Sequence, residues 1–231
     1  MKIKIGVLGG IGPESTGEFY NKLIKIMQEK NLIKSNSDYP QIIVNSIPAP
    51  ELVSQISDKE LKPYIDGLKE LDSLKPDFIV MICNTIHLYH ELLQSKIATD
   101  LINLRDLVKT YLEENKIKSY LILGTGNTIE KGLYDFKDFK CFTPNNDEII
   151  KINDAIFNFN KGFDKTSQKR LLLNISKKYL ELGAETAILG CTEIALMLYE
   201  EEIPRVNTLD ILVDSVIKEI ERRKNDVGQY L

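Results

Sequence analysis

No apolar run in this 231-residue chain approaches the ~20 residues that a membrane span requires. Positive charge is not in excess either: 30 Lys and Arg stand against 34 Asp and Glu, a formal net charge of −4. The basic residues are scattered among acids, as on a solvated surface, so the charge pattern gives no reason to expect a nucleic-acid partner. Histidine is scarce. The two present, His87 and His90, lie beside one cysteine only, and the three cysteines lack metal-site spacing, so no metal site is expected. The start of the chain, Met1-Lys2-Ile3-Lys4-Ile5-Gly6-Val7-Leu8-Gly9-Gly10, resembles a short signal peptide but has no small-residue cleavage site and runs into a structured motif. It reads as a strand of a cytoplasmic protein whose cysteines are reduced thiols. Asn174-Ile175-Ser176 matches a glycosylation pattern that such a chain would not use. Long linkers and low-complexity stretches are missing too. With 43% apolar and 28% charged residues, the chain has the make-up of a soluble globular protein. It is long enough for one large domain or two small ones.

What is present is an alternation of strand and helix signals. Strands are expected over residues 3–8, 41–46, 78–82, 101–104, 120–123 and 187–189, with a short one at Val206. Helices are expected over 15–30, 61–74, 85–94, 107–114, 148–159, 167–182 and 209–223. Such alternation implies parallel sheets covered on both faces, an α/β protein. The two halves also repeat. Residues 4–10 and 120–126 are both strand-to-glycine-loop units that feed a helix. Leu74-Lys75-Pro76-Asp77, before one cysteine strand, matches Leu182-Gly183-Ala184-Glu185, before the other. The expectation is two similar α/β domains related by a pseudo-twofold, 1–104 with 209–231 and 105–208, and a cleft between them.

Two cysteines mark that cleft. Phe78-Ile79-Val80-Met81-Ile82-Cys83-Asn84-Thr85 and Ala187-Ile188-Leu189-Gly190-Cys191-Thr192-Glu193 are apolar runs that end at a thiol and open a polar loop before a helix. That position is the carboxyl edge of a sheet, where open α/β folds bind ligands. A lone cysteine there is commonly just buried packing. Two in matching contexts, facing one another, form an acid-base pair of the kind that inversion of a stereocentre needs. One must start as thiolate and the other as thiol. A helix N-terminus lowers a thiol pKa, which leads to the expectation of a thiolate near working pH. Asn84, Thr85, Thr125, Thr128 and Thr192, with glycine-loop N–H groups, are candidates to grip a carboxylate and the charge that develops beside it. As a purely structural role, Thr and Asn in these places cap helices. Cys141, between Lys140 and Phe142, has no mirrored partner and reads as structural.

The loop Gly10-Ile11-Gly12-Pro13-Glu14-Ser15 departs from a dinucleotide fingerprint. Ser15 stands where the third glycine belongs, and the second strand ends at Asn45-Ser46 without an acid. A tight strand-to-helix turn explains its glycines.

Together these residues resemble the aspartate/glutamate racemase superfamily, in its aspartate racemase-like branch. The resemblance is carried by Gly9-Gly10-Ile11-Gly12-Pro13-Glu14-Ser15-Thr16, Cys83-Asn84-Thr85-Ile86-His87, Gly124-Thr125-Gly126-Asn127-Thr128 and Leu189-Gly190-Cys191-Thr192-Glu193-Ile194. It implies two similar α/β domains, an amino-acid substrate in the cleft, no pyridoxal phosphate or other cofactor, and a homodimer. It also implies Cys83 and Cys191 as the base-acid pair, and substrate contacts at Gly10, Thr16, Asn84, Thr85, Thr125, Thr128, Thr192 and Glu193. Many relatives carry a substrate-binding Arg after the second strand in a Pro-x-Arg setting. Here the residues are Pro48-Ala49-Pro50-Glu51, and Lys161, the best match to a family lysine, is the expected substrate-binding cation for a side-chain carboxylate. Asn207 stands before Thr208 where an Asp is frequent. His87 follows the family pattern but fits helix packing equally well, and His90 reads as solvent-facing.

The expected activity is cofactor-independent racemisation of aspartate, glutamate or both. The alternatives within the superfamily are racemisation of other amino acids, or a decarboxylase or isomerase. Outside it stand a ligand-binding α/β protein and a thiol redox protein. Redox pairs usually lie close in sequence, and these two cysteines do not.

Overall fold

The computed structural model describes residues 2–50, 52 and 56–228. Its layers follow from period-two burial along the strands. In β1 (Lys4–Gly9), Ile5 and Val7 face one core and Leu8 the other. In β3 (Phe78–Met81), Phe78 and Val80 join the first core while Ile79 and Met81 join the second. β2 (Gln41–Ser46) completes a parallel sheet of order β2-β1-β3. Between these strands come α1 (Pro13–Glu29) and α2 (Asp58–Ser73). After them come α3 (His90–Gln94) and α4 (Leu104–Glu114).

The second half repeats the scheme. β4 (Ser119–Leu123), β5 (Lys140–Phe142), β6 (Thr186–Leu189) and β7 (Arg205–Asn207) form a parallel sheet of order β5-β4-β6-β7. Its helices are α5 (Gly126–Glu130), α6 (Asn146–Asn160), α7 (Lys165–Glu181), α8 (Thr192–Met197) and α9 (Thr208–Gly228). Tyr120, Ile122, Ile188 and Val206 point into the same core as Ile5 and Val7, so one continuous apolar layer lies between the sheets. Phe19 and Leu23 of α1, Val108 and Leu112 of α4, and Val213 and Val216 of α9 fill it. The outer faces are covered by α2 on one sheet and by α6, α7 and α8 on the other.

The repeat extends to side chains. Asp77 Oδ2 accepts from the backbone N–H of Lys4 at 2.7 Å, and Glu185 Oε2 from that of Lys118 at 3.1 Å. Each acid thus ties the start of its half's central strand to the segment that leads into the cysteine strand. Asn103 Oδ1 accepts from Arg105 N at 3.1 Å as α4 begins. Asn207 Oδ1 accepts from Leu209 N at 3.0 Å as α9 begins. Both satisfy donors that a helix start leaves free.

Three expectations change. The strand at 101–104 reduces to a single bridge from Leu101 to Ile79, because the Asn103 cap starts α4 at Leu104. The helix over 85–94 divides into a tight 3₁₀ turn, Thr85–Tyr89, and the short α3. His90 is half-buried rather than solvent-facing, since its Nε2 bonds the Leu101 carbonyl at 2.8 Å. The edge strand β5, three residues long, carries too short a pattern to stand out in the sequence; Cys141 pairs there in register with Tyr120. Among the described residues no helix is long and apolar enough to cross a membrane.

Candidate active site

Both cysteine loops leave the carboxyl ends of central strands. Cys83 lies just past β3, before the Thr85–Tyr89 turn, and Cys191 is the extended residue that precedes α8. Between the halves is a narrow cavity of about 40 Å³. Ile11, Gly12, Leu52, Cys83, Asn84 and Thr85 line it from the N-terminal half. Thr125, Ile156, Phe157, Asn160, Cys191, Thr192 and Glu193 line it from the other.

Glu193 is the ionisable acid of this lining. Its Oε2 accepts from Cys191 Sγ at 2.8 Å and from Thr192 Oγ1 at 3.2 Å. The residue is only 6% exposed. It reaches across the cleft: a methyl group on Gly12 would collide with Glu193 Oε1. Glycine at position 12 is what lets the carboxylate sit there. Pro13 follows as the first residue of α1, where its missing N–H costs nothing.

The thiols do not have the low pKa expected of a helix N-terminus. Burial pushes Cys83 up to about 12, and the Glu193 charge adds to this. Backbone N–H groups of Ile86 and Thr85 face its sulfur and pull the other way, but with less effect. Cys191 is raised well above the ordinary thiol value, by burial first and then by Glu193. A short helix start offers a fraction of a charge, whereas removal of a thiolate from water is the larger cost. Both thiols are therefore protonated at neutral pH in the unliganded protein.

Three hydroxyls join the halves behind the thiols. Thr85 Oγ1 lies 3.0 Å from Thr125 Oγ1 and 2.9 Å from Thr128 Oγ1, and Thr125 Oγ1 donates to Thr128 Oγ1 at 3.2 Å. Thr125 also caps α5 by accepting from Thr128 N. Asn84 Oδ1 accepts from the Tyr134 hydroxyl. The Asn84 Nδ2 group is buried and has no partner among the described residues.

Of the residues singled out from the sequence, Cys83, Cys191, Asn84, Thr85, Thr125, Thr192 and Glu193 meet at the cavity. Thr128 is fully buried in the hydroxyl cluster rather than on the lining. Gly10 and Thr16 bond within their own loop: Thr16 Oγ1 accepts from Gly10 N at 3.1 Å and donates to Gly12 O at 3.1 Å. Lys161 is exposed just past the end of α6, its ammonium 5.7 Å from the Phe157 ring centre, outside the lining. Its neighbour Asn160 lines the cavity instead. Glu51 lies outside the described residues. His87 is buried, accepts from Leu104 N through Nδ1 at 3.4 Å, and stacks on His90 with ring centres 6.0 Å apart. Burial pushes its pKa down to about 3, so it is neutral and serves the start of α4. Sequence reasoning missed Asn160, Phe157 and Tyr134. The first two sit beside a residue it chose. Tyr134 reaches Asn84 from 50 positions away, with no local signal. Among the described residues no group of three or more His, Cys, Asp or Glu is arranged to hold a metal ion.

Comparison with known proteins shows the family of the chain. The profile of the Asp/Glu/Hydantoin racemase family matches residues 8–216. The broad specificity amino-acid racemase RacX of Bacillus subtilis is 27% identical over 226 residues, which span 92% of this chain and 96% of that protein. The crystal structure of PH1733, an aspartate racemase homologue from Pyrococcus horikoshii, superposes with a TM-score of 0.75 at 28% identity, covering 96% of this chain and 100% of that one. Glutamate racemase from Francisella tularensis shares the fold with a TM-score of 0.71 at 14% identity, over 96% of this chain and 82% of that one. The chain belongs to the Asp/Glu/Hydantoin racemase family, isomerases that work without pyridoxal phosphate.

Proposed function

We propose that this protein racemises free amino acids, with Cys83 and Cys191 as the two acid-base groups on opposite faces of the α-carbon. The observation that carries the reading is that two thiols from corresponding loops of the two halves line one cavity. Each starts protonated, so one must lose its proton before it can act as a base. Glu193 is placed for this at Cys191: the thiol already donates to its carboxylate at 2.8 Å. Transfer of that proton leaves a Cys191 thiolate and a neutral Glu193. The thiolate takes the α-proton, and the Cys83 thiol delivers its own to the other face of the carbanion. The turnover leaves Cys83 as the thiolate and Cys191 as the thiol, and that state takes the α-proton of the opposite enantiomer with the two roles exchanged. Thr85, Thr125 and Asn84 supply donors for the α-carboxylate, whose charge grows as the α-proton leaves.

The lining favours the broader substrate reading over strict selection of aspartate or glutamate. Glu193 is an acid, and no Lys or Arg is among the described lining residues. The segment around Leu52, residues 47–57, contains no Lys or Arg in its sequence. A second substrate carboxylate finds no opposite charge here, and burying an unpaired charge is costly. The similarity to a broad-specificity racemase fits this reading.

The test is incubation with a panel of L-amino acids in D₂O, with α-deuterium uptake read by NMR. Uptake into several neutral amino acids, faster than into aspartate or glutamate, is expected. Uptake confined to aspartate and glutamate would replace the broad reading with the acidic one. No uptake into any amino acid would remove the racemase reading.

A further inference from the structure

Asn84 presents an unusual balance of satisfied and unsatisfied groups. Its side chain is 1% exposed and lies on the cavity lining. The Oδ1 atom is engaged by the Tyr134 hydroxyl, whereas Nδ2 has no partner among the described residues and is shut away from water. A buried polar group left unpaired costs free energy, and native structures rarely keep one without a reason. An acceptor carried by a ligand supplies the reason.

Tyr134 is held firmly enough to dictate which way the amide faces. It is fully buried, in the turn after α5. Its carbonyl accepts from Tyr120 Oη at 2.6 Å. The preceding carbonyl, of Leu133, accepts from Arg105 Nε at 2.8 Å. Two long-range bonds thus anchor the backbone on either side of the ring's attachment point. Burial holds the Tyr134 hydroxyl well above its ordinary pKa, so it stays a donor throughout the working range.

We propose that Tyr134 is a positioning residue. By donating to Asn84 Oδ1 it keeps the Asn84 amide turned so that only N–H donors remain for the α-carboxylate of a substrate in the cavity. Rotated the other way, the amide would offer oxygen to a carboxylate and repel it. This rests on the racemase reading for its substrate, but the contact itself is open to direct measurement. It also crosses the cleft. Tyr134 belongs to the C-terminal half and Asn84 to the N-terminal half, so the carboxylate site is complete only while the halves are together.

The experiment pairs glycine, which carries an α-carboxylate and no stereocentre, with glycinamide, which lacks the carboxylate. In ¹⁵N-labelled parent protein, the Asn84 side-chain amide signal is assigned by its loss in Asn84→Ala. That signal should shift on titration with glycine and not with glycinamide. In Tyr134→Phe, glycine affinity should fall about ten-fold, ~1.4 kcal/mol, with glycinamide affinity unchanged. For an amino acid that the parent racemises, kcat/KM should fall as well, because the donor that Tyr134 orients faces a carboxylate whose charge grows in the transition state. Asn84→Ala and the double variant should bind glycine equally weakly, because Tyr134 acts only through Asn84. The proposal is overturned if glycine leaves the Asn84 signal in place, if Tyr134→Phe binds glycine as the parent does, or if the two losses add in full. A parent that exchanges no α-proton would remove the racemase reading, while the titrations would still decide the role of Tyr134.

Discussion

Cys191 donates its thiol proton to Glu193 Oε2 across 2.8 Å, within a wall that is 6% exposed at both residues. The contact has two opposed consequences. It places a proton acceptor beside the thiol proposed as a base, and its negative charge makes a thiolate there harder to hold.

Glu193→Gln separates the two effects. The Glu193 charge raises the pKa of both Cys191 and Cys83, so its removal should lower both. Alkylation by iodoacetamide, followed by mass spectrometry as a function of pH, should then begin at lower pH at these two cysteines. Cys141, held up to about 12 by burial and by Asp135, is the internal reference and should not move. Racemisation should nevertheless fall, because the acceptor for the Cys191 proton is gone. Unchanged alkylation profiles at Cys83 and Cys191 would show that Glu193 does not set their ionisation.

Replacement of either cavity cysteine by serine should slow racemisation by at least ~10³, or about 4 kcal/mol of barrier. A hydroxyl is a far weaker acid than a thiol, so it cannot serve as the base at that face. Each single variant retains one thiol, and it should still exchange the α-proton of one enantiomer without inverting it. Racemisation at near-parent rate by Cys83→Ser or Cys191→Ser would remove the two-thiol mechanism.

His87 makes a prediction about stability. Burial holds its pKa at about 3, against 6.5 in the unfolded chain. Between those values the unfolded state binds more protons than the folded one, so stability rises with pH and is lost as pH falls from about 6.5 toward 3. The limiting slope is ~1.4 kcal/mol per pH unit for one proton. Carboxylates with lowered pKa values, such as Asp72 and Glu148, add their own loss below about 4.5, a lower window. His87→Asn keeps an acceptor for Leu104 N and removes the titration. Urea unfolding from about pH 7 to about pH 5 should show a steeper decline for the parent than for this variant. Parallel declines would place the acid sensitivity elsewhere.

Much of this protein is written locally in its sequence. β1, β3, β4 and β6 are legible because apolar runs of strand length end at glycine or cysteine loops. The cysteine loops betray themselves because a strand's end fixes where the next few side chains emerge, and the two copies share that local geometry. The acids Asp77 and Glu185 show the same logic, one repeated contact from one repeated segment. Tertiary structure decided the rest, because those properties depend on what other parts of the chain bring near. The thiol pKa values went up rather than down, since burial by the whole cleft outweighs a short helix start. Lys161 was left outside the cavity and Asn160 inside it, because one residue of helical rotation separates the two at the end of α6. The Tyr134–Asn84 contact joins residues 50 positions apart, a distance over which no local pattern carries information.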